Sequence, residues 1–436
     1  MYSFDVFDTL ITRKTAVPKG IFAIMQSELE KKEYAAIPES IRKNFHRLRI
    51  EAEKLARYSY QDSETEDVTL GQIYEALAVR GELDDEQKKQ LACLECDIEY
   101  RECVPVEKNV IQIKKLLSDG ENVILISDMY LPKKQIYRML AKADTVLEKL
   151  PLYVSGDCKK RKSTGRIYEL AMAQSHFAAG ECIHTGDNEE MDLAAAERKG
   201  FYSRLSWFPR LLPIEKKLLD ETPGNVWLNR VIGCSRRARL YLGEEMSRKD
   251  EVRAGTSIGG ILLGTYMQWV IATALARGIN RLYFAESDGN VLKRIADILI
   301  QKTGCAIETH YRHGIEYTGQ EMNLSDDRSA FVAMLERSSD YKGCLQVFFF
   351  NLDRVTETDY YRYFVFYPGR IRKRDALEQF YVILKGRIDY LAGIERFTEL
   401  FCEDGHMVVP SEDMEQIFKM LAYITEMSDE LLSRFL

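Results

Sequence analysis

Residues 2–10 read YSFDVFDTL, a short apolar strand that ends in the carboxylate of Asp5 and turns at once through a small polar run. Residues 123–128 read VILISD, a second apolar strand, which ends in a hydroxyl and a carboxylate. In open parallel sheets, ligands bind outside the carboxyl ends of the strands, so polar residues that follow buried strands collect at one edge. The two segments therefore predict an α/β fold with a functional site at that edge.

Two further segments extend the pattern downstream. Residues 162–165 read KSTG and open an apparent helix with Lys162. Residues 182–192 read CIHTGDNEEMD, a strand that ends in Gly186 and Asp187, with Asp192 five residues after Asp187. A nucleophilic carboxylate, a hydroxyl, a lysine and an acid pair form the constellation of phosphoryl transfer through an aspartyl-phosphate.

The chemistry explains why these residue types belong together. A phosphoryl group carries spread negative charge, and its transfer depends on positioned positive charge. Because a carboxylate nucleophile repels a phosphate dianion, a lysine and a magnesium ion are needed to cancel the repulsion. Mg²⁺ prefers oxygen ligands, such as the carboxylates of Asp5 and Asp187.

The four motifs, in this order, resemble those of the haloacid dehalogenase (HAD) superfamily, and the resemblance covers residues 1 to about 206. It implies a Rossmann-like core and a role for each motif residue. Asp5 would be the nucleophile, and Lys162 would neutralise charge on it and on the phosphoryl group. Asp187 would hold Mg²⁺, and Asp192 would orient Lys162 or support the metal site. The phosphoryl group and substrate would be bound by Thr9, Ser127, Asp128 and Lys162.

One position departs from the pattern of the superfamily's phosphatases. Most of them carry an acid two residues after the nucleophile, whereas this chain has Phe7 there and Asp8 one residue later. A phenylalanine cannot transfer protons, although its backbone carbonyl can still ligate the metal. Three interpretations stay open: Asp8 takes over proton transfer, the phospho-aspartate is hydrolysed slowly, or the substrate is not a phosphate ester. Dehalogenases also carry an aromatic residue there but work without metal, so Asp187 and Asp192 favour Mg²⁺ and phosphoryl chemistry.

More than 100 residues separate the first motif from Ser127, far more than a strand–helix connection needs. Apolar residues spaced by three and four predict helices over 18–33, 38–57 and 83–103, and Thr69 is a candidate N-cap. We expect a helical cap inserted after the first strand, of the kind that closes over a site and selects substrates. The predicted domains are a core of residues 1–13 and 105–207, a cap of 14–104, a connector of 208–250 and a C-terminal domain of 251–436.

The C-terminal region predicts a second α/β domain with a helical tail. An apolar helix over 257–276 precedes a buried strand, Arg281–Ala285, and a tight turn through Ser287, Asp288 and Gly289. The tail, 375–436, has a helical pattern, and a basic run occupies 370–374. The whole chain resembles a group of bacterial HAD hydrolases with SFDxFDTL and SDMYLP motifs, often found with glycosyltransferases. Their Arg-Asp-Gly turn reads Ser-Asp-Gly here, which puts a phosphate-binding role of that turn in doubt.

Composition excludes several classes of protein. A net charge of −7 and a pI near 5.7 argue against binding to a nucleic-acid backbone. The sequence contains no run of about 20 apolar residues, so we expect no membrane span. Nine scattered cysteines indicate reduced thiols and a cytoplasmic protein.

The leading hypothesis is an Mg²⁺-dependent phosphoryl hydrolase or phosphotransferase acting on a small phosphorylated metabolite through Asp5. By the resemblance, that metabolite is related to sugars or polysaccharides. The alternative is a non-catalytic or weakly catalytic HAD-like binding or scaffold protein in surface-glycan assembly, with a glycosyltransferase as the implied partner. Phe7 favours this alternative, and the set of Asp5, Lys162, Asp187 and Asp192 favours the enzyme. The sequence identifies neither the substrate nor the oligomeric state.

Overall fold

The structure is a computed structural model that describes residues 1–276, 278, 280–285, 289–312, 329–335, 346–351 and 388–405. The chain divides into two compact units. The first comprises Met1–Phe208 with Leu219–Gly233, and the second comprises Pro209–Leu218 with Cys234–Leu436.

The core of the first unit is an open parallel sheet. The strands of this unit are β1 (Tyr2–Phe4), β2 (Ile11–Arg13), β3 (Cys103–Pro105), β4 (Val123–Ser127), β5 (Leu152–Val154), β6 (Ile183–Gly186) and β7 (Tyr202–Leu205). The sheet order is β5-β4-β1-β6-β7, and its pairings are parallel. All five residues of β4 are buried, as expected for a strand covered on both faces. The predicted Rossmann-like α/β fold is confirmed.

A helical insertion lies between β2 and β3 in the chain. It contains α1 (Gly20–Glu28), α2 (Glu39–Tyr60), α3 (Leu70–Gly81) and α4 (Asp85–Glu102). Thr69 caps α3 in a capping box with Gln72, as its position in the sequence predicted. The chain enters the insertion through β2 and leaves it through β3, and these two strands pair antiparallel. The two chain segments that connect the cap to the core are therefore bonded to each other as an antiparallel strand pair.

Buried ion pairs join α4 to the rest of the first unit. Arg49 of α2 forms two 2.8 Å hydrogen bonds with the carboxylate of Glu95. One helical turn later, Arg13 of β2 binds both oxygens of Glu99 at 2.8 and 2.9 Å. The Glu95 carboxylate also accepts a 2.7 Å bond from the hydroxyl of Tyr74. A two-point guanidinium–carboxylate contact satisfies the donors that burial would otherwise leave unpaired.

The helices that follow β3 complete the core. They are α5 (Glu107–Ser118), α6 (Lys133–Ala143), α7 (Ser155–Cys158), α8 (Arg166–Ser175) and α9 (Ala195–Arg198), and a π-helix spans Glu189–Ala194. The sequence suggested that Lys162 opens a helix, but α8 begins four residues later, at Arg166. Gly165, with φ +79°, precedes its first turn, because this left-handed conformation suits glycine. Lys162 thus lies on a loop.

The second unit also combines helices with a sheet. Two helices, α10 (Pro213–Glu221) and α11 (Val226–Leu242), have residues in both units. The further elements of the second unit are α12 (Glu244–Ser247), α13 (Asp250–Ala254), a π-helix (Gly255–Gly264), α14 (Thr265–Ala276), β8 (Arg281–Ala285), α15 (Gly289–Thr303), β9 (Glu308–Arg312), β10 (Ser329–Leu335), β11 (Gln346–Asn351) and α16 (Ile388–Glu403). Its sheet order is β11-β10-β8-β9, with only β10–β11 antiparallel among these pairings. The predicted strand Arg281–Ala285 is confirmed, and the segment 208–250, predicted as a connector, contains helices. The turn at 286–288, the basic run 370–374 and the tail beyond 405 lie outside the described residues.

Glycines allow two helical segments of the second unit to pack closely. A Cβ atom at Gly255 would lie 2.3 Å from the carbonyl oxygen of Tyr390, and one at Gly260 would lie 2.5 Å from Cγ of Phe397. Since non-bonded atoms do not approach so closely, a side chain at either glycine would push the π-helix away from α16. The sequence predicted one helix over 257–276, whereas the structure has a π-helix that ends at Gly264 and is followed by α14.

Within the described part of the chain, every helix is too short or too polar to cross a membrane. The described cysteines are unpaired.

We predict that Glu95→Gln destabilises the first unit strongly. The substitution leaves the Arg49 guanidinium, which is fully buried, facing a neutral amide. Breaking a buried ion pair on one side costs about 3–5 kcal/mol. Urea denaturation followed by circular dichroism measures the loss. Glu51→Gln is the matched control, because Glu51 pairs with a largely exposed arginine, Arg47, at 2.9 Å. Equal stability of the two variants would contradict the prediction.

Candidate active site

Three polar segments meet at the carboxyl edge of the first unit's sheet. β1 is the central strand, with β4 on one side and β6 on the other. Asp5 directly follows β1, Ser127 ends β4, and Asp187 directly follows β6. The backbone N–H of Asp5 donates a 2.9 Å bond to the carbonyl of Thr185, which holds the chain in register just past the strand. The sheet order therefore brings together residues that are more than 180 positions apart in sequence.

The Lys162 ammonium group is the centre of the site. Its Nζ atom donates to Asp5 Oδ1 and, at 2.6 Å, to Asp192 Oδ1. Lys162, Asp5 and Asp192 are all buried, with exposed fractions of 2%, 7% and 2%. A lysine that joins two buried carboxylates holds one of them, Asp5, in a fixed orientation at the sheet edge.

Asp192 is itself held from several directions. Its Oδ2 accepts a 3.0 Å bond from the backbone N–H of Asn188, and its Oδ1 lies 3.4 Å from His184 Nε2. The other ring nitrogen of His184 forms a 2.8 Å hydrogen bond with the Ser3 hydroxyl. Gly186 makes room for this carboxylate, because a Cβ atom there would lie 2.3 Å from Cγ of Asp192. A glycine is thus needed at position 186 for steric reasons, because a larger residue would displace the Asp192 carboxylate.

Burial and charge act in opposite directions on the ionisable groups of this centre. Burial raises the pKa of Asp5 well above its ordinary value, although the nearby Lys162 opposes the shift. Burial alone would lower the pKa of Lys162, but the carboxylates of Asp192 and Asp5 outweigh it and raise that pKa. Burial would also raise the pKa of Asp192, yet Lys162 and His184 lower it. These directions favour the charged forms of Lys162 and Asp192, which pair at 2.6 Å.

Carboxylate oxygens of Asp5, Asp187 and Asp192 lie within 4.8 Å of one another, an arrangement able to hold a metal ion. The Thr9 hydroxyl is 3.5 Å from Asp187 Oδ1, and the Thr9 carbonyl accepts a 2.7 Å bond from the side-chain amide of Asn109. Asn109 also donates a 2.7 Å bond to the Ser206 hydroxyl. The structure thus brings the predicted residue Asp187 within reach of Asp5 and places Thr9 against Asp187.

The turn after Asp5 is tight and gives Phe7 and Asp8 different environments. The backbone N–H groups of Leu10 and Ile11 both donate to the carbonyl of Val6, at 2.8 and 3.0 Å. Asp8 has a left-handed φ of +58°, and its Oδ1 accepts a 2.6 Å bond from the Thr12 hydroxyl. The Phe7 ring lies under the guanidinium of Arg13, with 4.5 Å between Cζ and the ring centroid. Asp8 is therefore part of the turn, and Phe7 contacts a charged side chain of β2.

The carboxylate of Asp128 contacts the backbone of residues 159–165, the loop between α7 and α8 that carries Lys162 and is called the Lys162 loop below. Its two carboxylate oxygens accept bonds of 3.0 and 3.2 Å from the backbone N–H of Lys162. Arg161 Nε lies 3.7 Å from the same carboxylate. Burial raises the pKa of Asp128. Asp128, predicted from the sequence as a substrate-binding residue, holds the Lys162 loop to the end of β4 in this structure, while Ser127 lies buried at the strand end.

Sequence reasoning missed several residues that shape the site. His184 and Tyr168 lie beneath Asp192: their rings contact edge to face, with centroids 5.2 Å apart, and the Tyr168 hydroxyl bonds the Met191 carbonyl at 2.8 Å. Glu66 and Asp67, from the loop between α2 and α3, contact the Lys162 loop and Ser155. His184 lies inside the CIHTGD segment, two residues before Gly186, so its place near the site could have been predicted from the sequence. The contacts of Glu66 and Asp67 join residues about 90 positions apart and leave no local pattern.

No protein-family model matches this chain, and no curated protein sequence matches it. Solved structures are similar to part of it. A 2-haloacid dehalogenase from Pseudomonas syringae pv. Tomato DC3000 is 15% identical, with a TM-score of 0.35, over 49% of this chain and 91% of that one. For a structure titled a predicted phosphoglycolate phosphatase from Haemophilus somnus 129pt the values are 11%, 0.30, 47% and 83%. For the HAD-hydrolase YfnB from Bacillus subtilis, solved with magnesium, they are 12%, 0.31, 46% and 84%. The chemistry of the site is therefore inferred from this chain's own residues.

We predict that Gly186→Ala breaks the contact between Lys162 and Asp192 without unfolding the sheet. The added methyl group overlaps the Asp192 carboxylate, so Asp192 must move away from Lys162. Amine-selective labelling with mass spectrometry should show faster modification of Lys162 in this variant. Gly180→Ala is the matched control, because a Cβ at Gly180 meets no atom within 4 Å. Unchanged labelling of Lys162 in Gly186→Ala would refute the steric argument.

Proposed function

We propose that this protein is a hydrolase or phosphotransferase that acts on a small phosphorylated metabolite, with Asp5 as nucleophile and Mg²⁺ as cofactor. The observation that carries the proposal is the buried Lys162 ammonium joined to both Asp5 and Asp192 at the carboxyl edge of the sheet. A carboxylate held by a lysine is oriented for attack, and the same positive charge offsets its repulsion by a phosphate.

The proposed reaction has two steps. An oxygen of Asp5 attacks phosphorus, the bond from phosphorus to the leaving oxygen breaks, and an aspartyl-phosphate forms. A water molecule, or an acceptor hydroxyl in the case of a phosphotransferase, then attacks the same phosphorus and restores the Asp5 carboxylate. Lys162 neutralises charge in both steps, and Asp192 keeps Lys162 in place. Ser127 and Thr9, at the same sheet edge, are the hydroxyls assigned to the phosphoryl oxygens.

The donor set fits magnesium. Three carboxylates within reach of one another offer the hard oxygen ligands that Mg²⁺ requires. Both oxygens of Asp192 already accept bonds from the protein, from Lys162 and from Asn188. We therefore assign the metal to Asp5, Asp187 and the Phe7 carbonyl, with Asp192 in support. When bound, the ion would polarise the phosphoryl group and stabilise its charge.

The environment of Phe7 and Asp8 bears on how the leaving group departs. The Phe7 ring contacts Arg13, and Asp8 is engaged in the turn through Thr12. Of the three interpretations open from the sequence, this geometry favours slow turnover without a dedicated acid over transfer of the acid role to Asp8. The relation to sugar or polysaccharide substrates rests on the sequence resemblance alone.

The second candidate function is a phosphate-sensing binding or scaffold protein. The specific observation in its favour is the same Phe7, which leaves the usual acid position without a proton carrier. A binding protein would retain metal and phosphate at the site but would show no turnover. The two candidates differ in whether Asp5 becomes covalently modified.

We predict that Asp5→Asn abolishes turnover of an activated aryl phosphate and that a chelator does the same to the unmodified protein. An amide is a poor nucleophile, and removal of Mg²⁺ removes charge stabilisation. Trapping with beryllium fluoride and Mg²⁺, followed by crystallography, should place the beryllium on Asp5. Asp187→Ala should weaken Mg²⁺ binding, measured by calorimetry, and Glu189→Ala is a nearby acidic control. Full turnover by Asp5→Asn would exclude the nucleophile assignment, and turnover unaffected by both chelator and Asp187→Ala would exclude the metal.

We predict that Asp8→Asn has the same small effect on the turnover of aryl phosphates and of alkyl phosphates. Asparagine tolerates the left-handed conformation and can accept the Thr12 bond, so the turn is kept while the ionisable group is lost. The kcat values for leaving groups of high and low acidity measure the effect, and thermal denaturation controls for folding. A loss confined to the poor, alkyl leaving groups would instead assign general-acid catalysis to Asp8.

A further inference from the structure

The loop between α2 and α3, residues 61–69, joins the helical cap to the loops that carry the active-site residues. It contacts the chain around Lys162 on one side and the segment after β4 on the other. Among the described contacts, the backbone N–H of Glu66 donates a 3.0 Å bond to the carbonyl of Lys159, and the N–H of Leu70 donates a 2.9 Å bond to the carbonyl of Tyr130. The cap is thus bonded to the core at a second place, far in sequence from β2 and β3.

Glu66 holds the Lys162 loop directly. Its Oε2 accepts a 2.7 Å bond from the backbone N–H of Arg161, the residue before Lys162, and a 2.8 Å bond from the Thr164 hydroxyl. Its Oε1 lies 3.3 Å from the guanidinium of Arg166, at the start of α8. One carboxylate therefore holds the backbone before Lys162 and two side chains after it.

Asp67 holds the other active-site loop through Ser155. Its Oδ2 accepts a 2.5 Å bond from the Ser155 hydroxyl, and Ser155 Oγ accepts a 2.8 Å bond from the backbone N–H of Met129, two residues after Ser127. Its Oδ1 is bonded by Arg57 of α2. Asp67 is only 2% exposed, so this is an enclosed connection.

The two connections meet at Asp128. This carboxylate, between Ser127 and Met129, accepts the backbone N–H of Lys162. The loop after β4 and the Lys162 loop are thus bonded to each other as well as to the α2–α3 loop. A displacement of Glu66 would release the Arg161 backbone and alter the direction from which Lys162 reaches Asp5.

We propose that Glu66 and Asp67 are positioning residues, through which the cap holds Lys162 and the loop after β4 in the arrangement that the reaction needs. This inference rests on the proposed function of the Asp5–Lys162 centre and adds the cap to it. The α2–α3 loop and the Lys162 loop move together, so a shift of this part of the cap reaches the lysine through the bond between Glu66 and the Arg161 N–H.

Kinetics of Glu66→Ala, Glu66→Gln and Glu64→Ala on an aryl phosphate test the proposal. Glu66→Ala should lower kcat by about 10- to 100-fold with little change in KM, because small misplacements of catalytic groups cost rates of this order. Glu66→Gln should restore most of the rate, since its amide oxygen can accept the Arg161 N–H. Glu64→Ala removes a largely exposed carboxylate that pairs with the same Arg166 at 3.2 Å but leaves the bond to the Arg161 N–H intact, so it should match the unmodified protein. An unchanged kcat in Glu66→Ala, or an equal loss in Glu64→Ala, would overturn the proposal.

A second measurement is independent of any substrate. Hydrogen–deuterium exchange should show faster exchange of segment 159–166 in Glu66→Ala than in Glu66→Gln, and an amine-reactive reagent should modify Lys162 faster. If the unmodified protein turns over no phosphate ester, the proposed function fails while these two readouts still report on the connection. Exchange and labelling identical in Glu66→Ala and the unmodified protein would overturn the positioning role even in an active enzyme.

Discussion

The arrangement of the first unit's active-site edge depends on the burial of one ammonium group, that of Lys162. Removing a lysine from water costs several kcal/mol unless opposite charges and hydrogen bonds replace the solvent. Lys162 is 2% exposed and meets that requirement with Asp5 and Asp192. Those partners lie on different segments, so the charge balance holds only when β1 and β6 are neighbours and the Lys162 loop crosses their ends. The same pairing that stabilises the fold prepares the carboxylate that we propose as nucleophile.

Charged side chains also integrate the cap with the core. Arg13 of β2 forms a buried two-point ion pair with Glu99 of α4, which joins the core to the cap. One turn earlier along α4, Glu95 forms a similar pair with Arg49 inside the cap. The α2–α3 loop adds Glu66 and Asp67 on the other side. Such contacts are directional, since they need defined donor and acceptor positions, whereas apolar packing alone tolerates sliding. The cap is therefore held by directional contacts both at β2 and at the loops after β4 and around Lys162.

The neighbourhood of Phe7 bears on the choice between the two functions that we propose. The Phe7 side chain lies against Arg13, whose other contacts reach into the cap through Glu99, so this residue belongs to the packing that joins cap and core. Asp8 supplies a left-handed turn residue and a bond to Thr12. A site built in this way keeps the nucleophile and the positive charge, while proton transfer to the leaving group is the least supported step. If the proposed function holds, we expect slow turnover and a long-lived phospho-aspartate from that arrangement.

The sequence by itself determined the parallel α/β core, the helical insertion and the set of charged residues at strand ends, because each leaves a local pattern. The apolar runs that end in Asp5, Ser127 and Asp187 can each be recognised from a few consecutive residues. Thr69 marks the start of α3 because threonine is a favoured N-cap residue. Only the tertiary structure decided that Asp128 bonds the Lys162 backbone, that Gly186 makes room for Asp192, and that Lys162 lies on a loop held by Glu66 of the cap. These contacts depend on distances between segments far apart in the chain, and such distances are set by the packing of the whole unit.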